Sequence, residues 1–213
     1  MAPFTTVGRV NFASTDIRSH CTGVLVSRRL ALTAAHCLWN GARKRWIPAG
    51  SLRFVTGYQR GTSSAVARVT RIVLPPQLDP AAPFRVDPTR DWALLVLDQP
   101  LGDTHGHVRL FSGKLRLAGA GRAFMPGYAG LTPHVLSVAR DCGRPLAVAG
   151  RLMAACSAMP GDSGAPLFWD GADGLRLLGI ATAVHAPSGS FTTDFSAWFR
   201  LRDALADEIA MGN

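Results

Sequence analysis

The sequence predicts an all-β protein closed by one C-terminal helix. Three observations carry that prediction. Short apolar runs of strand length recur along the 213 residues, separated by Gly, Pro, Asp and Ser. Helical periodicity is almost absent between them. It emerges only in the tail, where Trp198, Leu201, Leu205 and Ile209 are spaced at helical intervals around charged Arg202, Asp203, Asp207 and Glu208. Strands at this density point to a barrel or a sandwich.

In chain order, "TTVGRVNF" (5–12) reads as the first strand. The runs "TGVLVS" (22–27), "RFVTGY" (53–58), "ARVTRIVL" (67–74) and "WALLVL" (92–97) continue the pattern. The Pro-rich stretch "LPPQLDPAAPFRVDPTR" (74–90) is a long loop, not a linker between independent domains. Three later runs follow: "HVLSVA" (134–139), "APLFW" (165–169) and "LRLLGIATAV" (175–184). The last two flank "DGADG", a hairpin turn by its residues.

Composition narrows the function classes. With 47% apolar and 17% charged residues the chain is globular, long enough for one large domain or two small, closely associated ones. No apolar run approaches the roughly 18 residues needed to cross a bilayer, so no membrane span is expected. The net charge is +9, but the arginines are scattered and only Arg43, Lys44 and Arg45 cluster. No nucleic-acid motif accompanies them, so the charge reads as a solvated surface with a taste for acidic partners.

Cysteines at 21, 37, 142 and 156 lack the C-x-x-C spacing of a zinc or redox site. Three pairings are open; the two local ones each close a short loop worth about 3 kcal/mol. An even set of separated cysteines favours an oxidising compartment, so a secreted or periplasmic location is expected. The start "MAPFTTVGRV" shows no signal peptide, which fits a mature form given a starting Met. His105 and His107 in "THGH" lack carboxylate or cysteine company and read as loop residues, as do His20 and His134; no metal and no cofactor are expected.

Three stretches carry chemistry. "MPGDSGAPLFW" (159–169) crowds Gly161, Asp162 and Gly164 around Ser163, directly before an apolar strand. "LTAAHCLW" (32–39) places His36 in a tight Ala-Ala turn beside Cys37. "TRDWALLVLDQPL" (89–101) places Asp91 immediately before a buried strand. Each alone is an ordinary turn. Together they run His36, Asp91, Ser163, the first two 55 positions apart (91 − 36) and the last two 72 (163 − 91).

On "CTGVLVSRRLALTAAHC", "DWALLVL" and "GDSGAPL" the chain resembles the chymotrypsin/trypsin-like serine proteases, in the bacterial branch related to glutamyl endopeptidases. The resemblance runs through essentially the whole chain. It implies two packed antiparallel six-stranded β-barrels: residues 1–106 carrying His36 and Asp91, residues 107–198 carrying Ser163, and a closing helix over 199–213. Cys21 and Cys37 then bracket the His loop as in that family, leaving Cys142 to pair with Cys156.

The implied chemistry suits these residue types. Serine is a weak nucleophile without an adjacent base, which His36 supplies. Asp91 would fix the imidazole tautomer. The N–H groups of Gly161 and Ser163 would form an oxyanion hole worth about 3 kcal/mol per donor. The partner of Asp162 stays open between an Arg, a backbone group and an N-terminus trimmed elsewhere. The resemblance puts the base of the substrate pocket at Ser157 and its wall along Thr182, Val184 and His185. Without a buried carboxylate at Ser157, the expected order before the cut bond is small aliphatic first, Glu second, Arg or Lys last. The expected activity is that of a monomeric serine endopeptidase acting on proteins or peptides through an acyl-enzyme. Alternatives are a catalytically silent protease-like binding module and an esterase on the same triad. The lack of alternating βα units and of G-x-S-x-G argues against an α/β-hydrolase.

Overall fold

The apolar run Ala93–Leu97 is buried on every residue, and the reason lies in what flanks it. In the computed structural model, Leu94 and Val96 face a core shared by both halves of the molecule, while Ala93, Leu95 and Leu97 face the interior of the first barrel. A strand buried on both faces reads as a continuous apolar run instead of an alternating one. The same split holds at Leu30 and Leu32 against Ala31. The structure describes residues 3–13, 18–79, 81–85, 87–109, 117, 120–148, 151–172, 174–185 and 192–211.

The first half contains β1 (Val7–Ala13), β2 (Arg18–Leu25), β3 (Leu30–Thr33), β6 (Leu52–Thr56), β7 (Ala65–Val73) and β8 (Ala93–Leu97). These six close into an antiparallel barrel in the order β1-β2-β3-β8-β7-β6, with β1 pairing β6 from Gly8↔Thr56 to Phe12↔Leu52. Outside it, β4 (Trp39–Asn40) and β5 (Arg45–Trp46) form a small hairpin, and α1 (Leu101–His105) follows β8.

The second half contains β9 (Gly121–Gly127), β10 (Ser137–Ala139), β11 (Leu146–Val148), β12 (Arg151–Ala154), β13 (Pro166–Gly171), β14 (Gly174–His185) and β15 (Thr192–Ala197). Where the resemblance implies a second six-stranded closure, the described residues carry a seven-stranded sheet ordered β10-β9-β13-β14-β15-β12-β11. The added arm is β11, exposed along its length and paired with β12 alone. Met125, Leu152, Leu167, Trp169 and Phe195 pack this half around the disulfide Cys142–Cys156. The "DGADG" hairpin joins β13 to β14 at Gly171↔Gly174, with Asp173 outside the described residues.

The tail helix α2 spans Trp198–Ala210. Leu205 is buried in the shared core, whereas Ile209 is 48% exposed. The side chains of Trp198 and Leu201 lie outside the described residues. An ion pair takes the place of a further apolar contact: Glu208 is buried and accepts two bonds from the Arg71 guanidinium on β7, at 2.9 and 2.6 Å.

Candidate active site

His36 sits on a single 3₁₀ turn, Ala35–Leu38, directly after β3. The turn has no side-chain cap at its start and is anchored instead by the disulfide Cys21–Cys37 to β2. Asp91 stands before β8 and is fully buried. Its Oδ2 lies 2.6 Å from His36 Nδ1, and its Oδ1 accepts the His36 backbone N–H at 2.8 Å. One carboxylate therefore fixes both the ring and the backbone of the same histidine. A carboxylate oxygen only accepts, so in this contact it takes the Nδ1–H of the ring.

Ser163 lies in the turn between β12 and β13. Gly161 has φ +101 and Gly164 has φ +80, the left-handed region that favours glycine. Gly164 has a second constraint: an added Cβ would lie 2.3 Å from the Thr22 carbonyl oxygen and 2.9 Å from the Ala34 nitrogen. The serine turn is thus pressed against the end of the strand that delivers His36. Thr22 ties the two together. Its N–H donates to the Ser163 carbonyl at 2.9 Å, and its buried hydroxyl donates to the Gly161 carbonyl at 2.9 Å and accepts from the Tyr128 N–H at 2.9 Å.

The peptide planes of the turn are fixed from behind. The Pro160 carbonyl accepts from the Gly130 N–H at 2.7 Å, and the Asp162 carbonyl accepts from the Ala165 N–H at 2.8 Å. In a trans peptide the N–H points opposite to its carbonyl, so the N–H groups of Gly161 and Ser163 are turned away from those partners. Among the described residues neither donates to a backbone carbonyl. The Asp162 side chain is paired with a backbone group: its Oδ2 accepts the Met159 N–H at 3.1 Å. Burial pushes this carboxyl up to about 6, with the Met159 bond acting in the opposite direction.

Two cavities meet at Ser163. One, of about 340 Å³, is lined by Ala158, Met159, Ala181, Thr182, Ala183 and Val184 along with the serine turn. Thr182 and Val184 stand on its wall; Ser157 is exposed and does not line it, whereas its neighbour Ala158 does. His185 does not line it either. Its Nε2 pairs with Oδ2 of buried Asp194 at 2.9 Å, an oxygen that also takes Arg151 at 2.9 Å. The run "TTDFSA" holds a lone Asp in an otherwise uncharged strand, and that was the available signal for this cluster.

The second cavity, of about 330 Å³, is lined by His36, Ser163, Gly161, His20 and Trp39 among others. His20 Nε2 lies 2.9 Å from the Tyr128 carbonyl and must donate, since a carbonyl only accepts. Burial lowers its pKa, with Arg9 and His134 adding to the effect and the Tyr128 bond opposing it. Among the described residues the one close grouping of metal-type donors is Cys21, His36 and Cys37, and its two sulfurs are bonded to each other. Neither Thr22 nor His20 carries any sequence signal for a place in the site; only the folded register brings them there.

Comparison with known proteins bears on the fold and the family. No curated protein sequence matches the chain. Solved structures do, among them three at 18% identity. A Glu endopeptidase in complex with MPD matches with a TM-score of 0.72, over 98% of this chain and 93% of its own. The protease Anisep from Arthrobacter nicotinovorans matches with a TM-score of 0.71, over 97% and 98%. A thermostable serine protease from an extremophilic microorganism matches with a TM-score of 0.70, over 93% of each chain. At that identity they speak for the fold. The family model described as Trypsin matches residues 4–199, and with nearly the whole chain inside that match, the protein belongs to the trypsin family of serine endopeptidases.

Proposed function

We propose that the chain cuts peptide bonds through an acyl-enzyme on Ser163, with His36 as general base and then acid, Asp91 as its orienting partner, and the N–H groups of Gly161 and Ser163 as the oxyanion hole. The observation that carries this reading is the two-oxygen hold of Asp91 on His36. In the first step Ser163 Oγ attacks the scissile carbonyl as His36 Nε2 takes its proton. The oxygen becomes an oxyanion beside the two free N–H groups, and His36 then gives its proton to the departing amine. Water repeats the sequence on the ester and frees the acid.

For the residue before the cut bond we propose small aliphatic side chains first. Ala158, Ala181, Ala183 and Val184 give the acyl-side cavity apolar walls without a cation. Glu stands second, by similarity to a Glu endopeptidase. Arg and Lys stand last, because the one carboxyl on the wall, Asp162, is buried and bonded to Met159. The two disulfides fit an oxidising compartment, secreted or periplasmic. The test is a peptide-library digest with sites read by mass spectrometry, run beside Ser163→Ala. Loss of cleavage and of fluorophosphonate labelling in a folded variant is the expected result. Wild-type turnover by Ser163→Ala ends the proposal, and a digest dominated by cuts after Arg or Lys ends the specificity order.

A further inference from the structure

We infer that the cavity on the His36 side of Ser163 is a second specificity site, selecting acidic side chains in the half of the substrate that leaves as the new amine. The inference rests on the reading of Ser163 and His36 given above. The acyl-side cavity includes Ser163 but not His36, while the other includes both. Because His36 must hand its proton to the leaving nitrogen, the leaving half of the peptide lies on its side.

That cavity continues. Phe12, Asn40 and Ile47 line it and also line a smaller neighbour of about 140 Å³, whose remaining wall includes Arg43 and Arg45. A chain leaving Ser163 along this path therefore runs toward two guanidinium groups. Among the described residues no carboxylate lines either cavity. Among the described residues no carboxylate lies in ion-pair range of Arg45, so its charge is left for a ligand.

The cations are held in place. They sit on the β4–β5 hairpin, where Trp39 pairs with Trp46 at 5.3 Å between ring centroids and Trp46 meets Phe84 at 5.2 Å, both edge to face. The Arg43 N–H donates to Asn40 Oδ1 at 2.9 Å, shaping the tip. An aromatic base under a short hairpin fixes its direction, so Arg43, Lys44 and Arg45 form a rim beside the groove instead of a free tail. This gives the one basic cluster of the sequence a task.

The test uses internally quenched peptides identical on the acyl side, with Glu, Gln or Lys placed in turn at the first four positions after the scissile bond. Wild type should favour Glu over Gln by about threefold to tenfold in kcat/KM at one or two adjacent positions, with Lys lowest and the order fading as salt rises. Arg43→Glu with Arg45→Glu should invert the order, and the milder Arg45→Gln should flatten it. Equal rates for Glu and Gln at every position, or a Glu preference that survives the double reversal, overturn the inference while leaving the catalytic reading intact. If no peptide is cut and Ser163 fails to react with a fluorophosphonate, the catalytic reading falls and this inference falls with it.

Discussion

Asp162 places a carboxyl in the turn that carries Ser163, with a backbone N–H as the partner of its Oδ2. Burial lifts its pKa from 3.8 to about 6. Between those values the folded chain keeps a proton that the unfolded chain has released, so this group's contribution to stability falls as pH rises through the window. Above it the charge costs on the order of 3 kcal/mol. Asp162→Asn retains an acceptor for Met159 without the charge, so it should gain on wild type between about pH 4 and 6 and hold that lead at pH 7. Parallel stability curves for the two proteins across that range would contradict the assignment. Thr22 offers the complementary test. Thr22→Val strips a partner from two buried backbone groups, the Gly161 carbonyl and the Tyr128 N–H, at about 1 to 3 kcal/mol. Because the Gly161 peptide then loosens, kcat should drop about tenfold with KM much less affected, and Thr22→Ser should restore it. An unchanged kcat would reduce Thr22 to a packing residue. The pairing of His36 with Asp91 was expected through the order of three stretches and the resemblance they carry, each stretch alone being an ordinary turn. Thr22 was not, since its role arises only when β2 meets a turn 139 residues away.

At the scale of elements, the 3₁₀ turn carrying His36 depends on bracing from outside itself. Cys21→Ala with Cys37→Ala removes the tie to β2 and should cost about 3 kcal/mol. Cys142→Ala with Cys156→Ala opens a loop of similar length and should cost a similar amount. The two differ in what they touch: the first should lower kcat well beyond the second, measured beside urea unfolding of both. Equal kcat in the two variants would show that Asp91 alone holds the turn. Strand prediction failed where neighbours decide the outcome. "HVLSVA" is a strand only from Ser137, because the His134 carbonyl accepts from the Arg60 N–H and its ring meets the Tyr58 hydroxyl, drawing 134 toward the first barrel. "RFVTGY" stops at Thr56, where Gly57 turns with φ +58. β9 reads "GRAFMPG", with a glycine at each end and a proline inside, the punctuation of a loop; pairing with β13 and β10 overrides it.

The molecule as a whole is joined through a core to which both halves contribute. Leu32, Trp92 and Leu94 from the first barrel pack in the same cluster as Phe124, Phe168 and Ile180 from the second sheet, with Leu205 of α2 beside them. The helix comes last in the chain, yet Glu208 reaches back to Arg71 on β7 of the first barrel through two parallel bonds. Such a two-pronged pair is stronger than a single neutral bond, and one of its members is out of water. Arg71→Ala leaves the Glu208 carboxylate buried without that clamp and should cost about 1 to 3 kcal/mol. Because the shared core couples the halves, the loss should move one transition, not split it. Tryptophan fluorescence and far-UV circular dichroism should report the same urea midpoint in the variant, lower than in wild type by an amount set by that cost. Two separated midpoints would mean that the first barrel and the second sheet unfold independently, and that α2 ties only its own half.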